Sequence, residues 1–425
     1  MEMIKITIDG RELTAPAGQT VLQIALDNGI EIPHLCDNPE LKIYGACGMC
    51  VVEVEGNPKL VKACATEIAP NMVVRTATER VKESRKTNLE LLLSNHVGDC
   101  RPPCVLNCPA GTDCQGYVGL IANGQFDEAL KLIKERIPLP GSIGRVCPHP
   151  CEDHCRRALV DEPISIAWLK RFAADWDLSG EDSFLPDIAP ETGKSVAIIG
   201  GGPYGLSAAY FLRQMGHAVT IYEAMPKLGG MLRYGIPEYR LPKSVVDEEI
   251  ATIERMGVEL VPNTRIGVDI SFDALRKNFD AVLIGVGAWV STGTGCPGED
   301  LPGVIGGIDF LRRVVRNEPI SLGKRVAIVG GGNTAMEGVV FKNLANPLEI
   351  RAGAGGRVSE MVLQVMELGE PDASGRRAPR PVEGKTETLA VDTVILAIGQ
   401  KVDASGLPGL ELTRKGGVVY DKTTF

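Results

Sequence analysis

The sequence predicts a multidomain α/β protein: a small β-grasp domain, a helical cysteine-rich domain, then two Rossmann-like dinucleotide-binding domains, along 425 residues. Three observations predict it. Eleven of the twelve cysteines lie before residue 156, in three packets. Two apolar strands, VAIIG and VAIVG, each run into a glycine-rich turn. The opening MEMIKITIDG alternates as a half-buried strand does. The length suits about three domains of ordinary size. A net charge of −9 without a block of like charge argues against a nucleic-acid or membrane-surface role. No apolar run approaches ~18 residues, and the start lacks the pattern of a signal peptide. Clustered cysteines without a secretion signal point to a reducing cytoplasm, where thiolates stay available to iron. The 49 glycines imply several loops that bring backbone close to phosphates.

Residues 1–80 read as the β-grasp domain. Ile4 to Ile8 is a strand, Asp9-Gly10 a turn, and Glu12 to Ala15 the return. Thr20 opens an amphipathic helix with Val21, Ile24 and Ala25 on one face, ending near Gly29. Cys36, Cys47, Cys50 and Cys64 follow as C-x₁₀-C-x₂-C-x₁₃-C. The glycines of YGACGMC suit a loop wrapped round a [2Fe–2S] cluster, with amides free to bond the sulfurs. A four-thiolate zinc site is the rival. The wide first gap departs from the plant-type spacing and resembles the N-terminal ferredoxin domain of the complex I large subunit and of iron-only hydrogenases.

Residues 81–185 read as the helical domain, with Val81 to Leu93 its first helix. Seven cysteines follow: Cys100, Cys104, Cys108 and Cys114, then Cys147, Cys151 and Cys155. Short even spacing in two packets lets thiolates converge on inorganic clusters, and seven plus one further ligand suffice for two [4Fe–4S] cubes. A disulfide framework belongs to small secreted domains. A zinc ribbon usually announces itself by C-x₂-C pairs, whereas these gaps are C-x₃-C and C-x₅-C. Between the packets, Gln125 to Arg136 is an amphipathic helix with Phe126, Ala129, Leu130 and Ile133 inward, stopped by Pro138 and Pro140.

Two further resemblances refine this. His96 stands four residues before Cys100, the spacing of a histidine ligand in the complex I large subunit. From Pro103 to about Gly399 the wording, including CPAGTDCQGYVGLIANGQFDEALKLIKERIPLPGSIGRVCPHPCEDHC and PISIAWLKRFAADW, resembles the glutamate synthase small subunit family. That family includes part of dihydropyrimidine dehydrogenase and the large subunit of ferredoxin:NADP transhydrogenases. The resemblance implies one cube from Cys100, Cys104 and Cys155, completed by His96. It implies another from Cys108, Cys147 and Cys151. Where relatives offer a glutamine or glutamate as fourth ligand, this chain has Lys170, whose ammonium has no lone pair, and Cys114 can take that place.

Residues 186–295 read as the first part of an FAD-binding domain. Val196 to Ile199 is an apolar strand, and Gly200, Gly202 and Gly205, with Pro203 between the last two, form G-x-G-x-x-G at a helix start. Glu223 closes the next strand and should accept from a ribose hydroxyl. KLGGMLRYGIPEYRLP is similar to the family's flavin-side loop, which implies FAD and places Gly230, Met231 and Arg240 near it. DAVLIGVGA, Asp280 to Ala288, reads as a buried strand whose glycines, Gly287 among them, return beneath the flavin.

Residues 296–388 read as the NAD(P)-binding domain. Gly330, Gly332 and Ala335, with Asn333 and Thr334, make G-x-G-x-x-A and resemble the family's NADPH site. GVVFKNLANPLEI follows almost at once, so the thirty or so residues of a βαβ unit are lacking after residue 337. Either that segment is missing from this sequence or the lobe is degenerate; the first is preferred. Arg376, Arg377 and Arg380 lie in a loop of a β-meander, as solvated charge. Residues 389–425 return to the FAD domain and look truncated at DKTTF, while Cys296 reads as an ordinary thiol.

The expected protein is a cytoplasmic electron-transfer subunit moving electrons among NADP(H), FAD, two [4Fe–4S] clusters, a [2Fe–2S] cluster and partner redox subunits. No side chain stands out as nucleophile or acid–base catalyst. The complex I-like head suggests an FMN- and NADH-binding iron–sulfur partner, a small [2Fe–2S] subunit and possible contact with ferredoxin, as in an electron-bifurcating NADH/NADP/ferredoxin transhydrogenase of an anaerobe. The alternatives are an NADPH-oxidising partner of glutamate synthase or a similar reductase, and a non-catalytic cluster scaffold.

Overall fold

The computed structural model describes residues 3–38, 42–96, 100–180, 183–331, 342–372, 375, 377–413 and 417–419. The chain divides into two compact units, Met1–Cys100 and Arg101–Phe425.

In the first unit β1 (Met3–Ile8) and β2 (Arg11–Pro16) form a hairpin. Asp9 and Gly10 both take positive φ, 47° and 83°, as the tight turn that matches strand twist demands. Ile4, Ile6 and Ile8 all point into the core, in the period of two the sequence shows. α1 (Val21–Asp27) starts at Thr20, whose side chain accepts from Gln23 N at 3.2 Å, a cap worth about 1 kcal/mol. β3 (Val51–Val54), β4 (Val61–Lys62) and β5 (Met72–Arg75) complete a sheet of order β2-β1-β5-β3-β4, with β5 parallel to β1. Cys50 and Cys64 are part of its core. α2 (Glu79–Ser94), capped by Thr78, packs on β3: Arg85 donates to Val51 O (2.8 Å) and Asn88 to Gly48 O (2.9 Å).

The second unit opens with helices α3 (Pro103–Leu106), α4 (Cys114–Ala122), α5 (Phe126–Lys134), α6 (Pro140–Val146), α7 (Pro150–Asp153) and α8 (Ile166–Ser179). Ala129, Leu130 and Ile133 face inward as expected, while Phe126 is half-buried and meets Phe172 and Trp176 edge-on at 5.0 Å each. Pro140 opens α6 rather than merely ending α5, since the first helical position needs no amide.

A parallel sheet follows: β6 (Ser195–Ile199), α9 (Pro203–Gln214), β7 (Ala218–Tyr222), α10 (Met231–Tyr234), α11 (Lys243–Arg255), β8 (Glu259–Val261), α12 (Phe272–Asn278) and β9 (Ala281–Ile284). Its order is β8-β7-β6-β9, so β6 is central, with Val196 to Ile199 all buried. β9, expected to be buried, is only half-buried, because it is an edge strand. Then come β10 (Val290–Ser291), β11 (Val304–Gly306), α13 (Gly307–Val315), β12 (Val326–Val329), β13 (Ala345–Ala352), β14 (Val358–Pro371), β15 (Arg377–Ala390), β16 (Thr393–Leu396) and β17 (Gln400–Lys401). β11-β16-β12 is a parallel sheet, β13-β14-β15 an antiparallel meander, and β10 pairs with β17 where the chain crosses into the second lobe and back.

A buried carboxylate joins the helices to the first parallel lobe. Glu249 of α11 accepts from Gly141 N (2.6 Å), Ser142 N (3.0 Å) and Ser142 Oγ (2.5 Å) at the start of α6. Burial pushes its carboxyl up to about 7, although those donors and the Lys134 charge pull the other way. Lys134 is itself buried, 3.5 Å from Asp177, and desolvation lowers its pKa. Among the described residues no helix is long and apolar enough to cross a membrane.

Candidate functional site

In the first unit the four expected cysteines come together on the loop between α1 and β3 and on the turn after β4. The Cys36 and Cys47 thiols hydrogen-bond, as do those of Cys50 and Cys64. Burial acts to raise the Cys47 pKa, but the amides of Met49, Cys36 and Leu35 and the Cys36 thiol outweigh it, leaving about 7. Met49 N lies 3.5 Å from Cys47 Sγ. Cys64 is pushed up to about 12 by burial and by its Cys50 neighbour. Gly45 and Gly48 take φ of 63° and 66°, which lets the loop turn its amides inward. Sulfurs crowded with inward amides are the donor set of a thiolate-bound cluster. At the end of this unit His96 Nε2 lies 3.1 Å from Cys100 Sγ, both side chains exposed.

In the second unit Cys108, Cys114, Cys147 and Cys151 form one packet. The Cys114 thiol donates to Cys108 and, with the amides of Thr112, Ala110 and Gly111, holds Cys108 down at about 5 against burial. Cys114 is driven far up by that same bond and by burial. The hydroxyl of fully buried Tyr117 bonds Cys114, and Cys151, pushed up chiefly by desolvation, feels both Cys147 and Cys108. His149, at φ 44°, turns its amide to Cys147 Sγ at 3.3 Å. Cys104 and Cys155 interact beside it, and burial raises Cys104. All twelve cysteines are free. Among the described residues no three histidine, cysteine or carboxylate side chains converge as they would on one metal ion.

The glycine motif lies at one wall of a cavity of about 720 Å³, within the range of small-molecule sites. Gly200, Gly202, Pro203, Glu223, Gly230, Met231 and Gly287 line it. A Cβ on Gly200 would overlap Gly285 O, and one on Gly205, beneath the cavity, would overlap Gly200 O. At Gly202 a Cβ would meet only Gly230 Cα at 3.7 Å, so the space in front of α9 is open to a ligand. Glu223 Oε2 accepts from Gly201 N (2.8 Å) and Oε1 from Met225 N (2.7 Å), and burial raises its pKa against those bonds. Each oxygen retains a lone pair for a sugar hydroxyl. Arg312, paired with Asp309 at 2.8 Å, also lines the cavity, and its Nε is buried without a partner among the described residues. The cradle fits an extended dinucleotide such as FAD. Arg240 is exposed and does not line the cavity.

Two residues escaped the sequence reading there. Arg233, buried, donates to Leu228 O at 2.5 Å and pairs with Asp247, while Lys243 Nζ donates to Leu232, Ile236 and Leu241 carbonyls at 3.0, 2.6 and 3.0 Å. Both stiffen the loop carrying Gly230 and Met231; polar residues inside an otherwise apolar loop were the available signal.

In the second glycine turn Gly330 takes φ 137° and a Cβ there would overlap Ala397 O. Gly332, Asn333, Thr334 and Ala335 lie outside the described residues. Beyond β12, no described strand occupies the place that β7 fills beside β6.

Residues 1–79 match the 2Fe-2S iron-sulfur cluster binding domain, 75–181 the dihydropyrimidine dehydrogenase domain II with its 4Fe-4S cluster, and 194–346 the pyridine nucleotide-disulphide oxidoreductase family. The NADP(+)-dependent formate dehydrogenase subunit beta of Moorella thermoacetica is 40% identical over 76% of this chain and 54% of its own length. The NADPH-Fe(3+) oxidoreductase subunit beta of Geobacter sulfurreducens is 40% identical over 75% and 54%. The chain thus spans about half the length of these relatives. The glutamate synthase [NADPH] small chain of Escherichia coli is 33% identical over 70% of this chain and 74% of that one. These matches bear out the expected cofactor set of FAD, NADP(H), a [2Fe–2S] cluster and two [4Fe–4S] clusters. At 33% identity over 70% of its residues and 74% of that relative, the chain belongs to the family of the glutamate synthase NADPH small chain.

Proposed function

We propose that this chain is the electron-conducting subunit of a multisubunit NADP-linked oxidoreductase. The observation that carries the reading is one chain holding a glycine-lined dinucleotide cavity together with three packets of free thiols. FAD exchanges electron pairs with a nicotinamide and single electrons with iron–sulfur centres, which is the conversion such a chain requires. Gly200, Gly202, Pro203, Gly205, Glu223, Gly230, Met231 and Gly287 hold the flavin, with Arg312 at its wall. Gly330 to Ala335 begin the nicotinamide lobe. Cys36, Cys47, Cys50 and Cys64 hold the [2Fe–2S] cluster in a β-grasp domain. Cys108, Cys114, Cys147 and Cys151 hold one cubane of a helical double-cubane domain. For the other we retain the set that the family resemblance implies, His96, Cys100, Cys104 and Cys155. The domains meet near residues 80, 185, 295 and 388.

The named beta subunits of formate dehydrogenase and ferric reductase support partner subunits that perform the terminal chemistry. An NADH/NADP/ferredoxin transhydrogenase has the same requirement, as does glutamate synthase. A second reading, a cluster scaffold without its own hydride site, is favoured by the outer edge of β12, beside which no strand lies among the described residues. Anaerobic titration of the purified protein with NADPH, followed by visible absorbance and electron paramagnetic resonance, separates the two. Bleaching of the flavin and then cluster signals, with about ten irons per chain, supports the conduit. A flavin left oxidised by NADPH while dithionite reduces the clusters leaves the scaffold.

A further inference from the structure

Lys170 lies where a lysine rarely does. It is only 5% exposed, on the face of α8 that carries Ile166 and Ala173, and that face packs against Cys114 and Cys151. Its charge acts on the Cys151 thiol. Its neighbours on α6 and α8 solve the burial of charge differently: Arg145 and Arg171 both pair with Asp175, at 2.8 and 3.3 Å. Among the described residues no carboxylate pairs with Lys170. The thiolates of the packet, Cys151 among them, are a charge of opposite sign that this ammonium faces.

We propose that Lys170 is the counter-charge of the cubane held by Cys108, Cys114, Cys147 and Cys151, and that it raises that cluster's reduction potential as a positioning and tuning residue rather than a ligand. The inference rests on the cluster assignment proposed above. Each thiolate adds a negative charge to the cluster, and reduction adds another inside a packet where Cys114 and Cys151 are buried and Cys108 and Cys147 half-buried. A fixed positive charge at the sulfurs favours the more negative, reduced state, and does so more strongly in low dielectric than in water. Tyr117 contributes in the same direction, because its hydroxyl bonds Cys114, and hydrogen bonds to sulfur raise the potential of a cluster. Lys170 therefore makes room electrostatically for a fourth thiolate, Cys114.

The test is a dithionite redox titration of the full-length, anaerobically purified protein and its Lys170→Met and Lys170→Arg variants, read by electron paramagnetic resonance together with iron analysis. Lys170→Met should keep its iron and lower one cubane midpoint by at least a tenfold change in the reduction equilibrium, about 59 mV for one electron. The other cubane should stay where it was, and Lys170→Arg should stay close to the parent. Unchanged midpoints in an iron-replete Lys170→Met protein overturn the inference and leave the cluster assignment standing. A parent protein with only one cubane overturns both. Should Lys170→Met lose iron, the parent decides: growth with Nζ-¹⁵N-lysine should give a nitrogen coupling at one reduced cubane, and its absence overturns the proposal.

Discussion

The two parallel lobes of the second unit begin alike and then diverge. At the base of the first, Asp280 accepts from Lys194 Nζ (2.8 Å) and Ser195 N (2.9 Å); at the base of the second, Asp392 accepts from the Arg325 side chain (2.7 Å) and Arg325 N (3.0 Å). Both carboxyls lie below the usual range because of that donor, Asp280 at about 2. At the first turn, Gly200 lies against Gly285 O and Gly330 against Ala397 O. Beyond that turn the first lobe supplies α9, β7 and an acidic residue at the strand end, while in the second the next described strand after β12 is β13 of the meander. The two lobes therefore share a strand-and-turn framework. In the first lobe the N-terminus of α9 supplies the dipole that meets phosphates, and the second strand carries the ribose acceptor.

The strongest way to break this comparison is to place a side chain in each turn. Gly205→Val should cost roughly 3 kcal/mol or more and expel the flavin, because the overlap is with backbone rather than a flexible side chain. Gly330→Ala should leave flavin content unchanged while abolishing any response to NADPH. Flavin absorbance of the purified proteins decides, and loss of flavin from both would mean that the lobes do not act separately.

A comparable effect tests the joint that only the first lobe has. Glu249 is raised from 4.5 to about 7, so the folded state favours its proton. Its contribution to stability is full below pH ~4.5 and is lost as pH rises through about 7, a change of roughly 3 kcal/mol. Thermal melts between pH 5 and 8 should show this loss, and Glu249→Gln should flatten it. A variant that keeps the parent's slope would assign the pH dependence elsewhere.

The smallest effect belongs to the matched bases. Lys194→Ala and Arg325→Ala each remove an exposed partner, and each should lower Tm by about a degree or two. Unequal losses, seen by calorimetry, would show that one lobe depends on its base more than the other.

Periodicity and spacing made much of this legible. The alternation of Ile4, Ile6 and Ile8, the Asp9-Gly10 turn, Thr20 as a cap and the first glycine motif are local signals, and each lies where expected. The short edge-strand character of β9 and the exposure of Arg240 were not legible, since both depend on which strands flank which. Nor was the tie between Glu249 and Ser142, which are 107 residues apart. A weaker signal existed: Glu249 shares a stripe with Val246, Ile250 and Ile253, and Lys170 shares one with Ile166 and Ala173. A charged residue in an apolar stripe is a question the sequence poses, and the answer depends on what packs there.

The carboxylate joint between α11 and α6 also has a kinetic consequence. Electron tunnelling falls steeply with separation, so centres carried on loosely hinged bodies must wait for a chance approach. Glu249 clamps two amides and a hydroxyl at the start of α6 in a dry contact. Transfer between a flavin on one side of that contact and a cubane on the other would proceed at fixed spacing, insensitive to solvent viscosity.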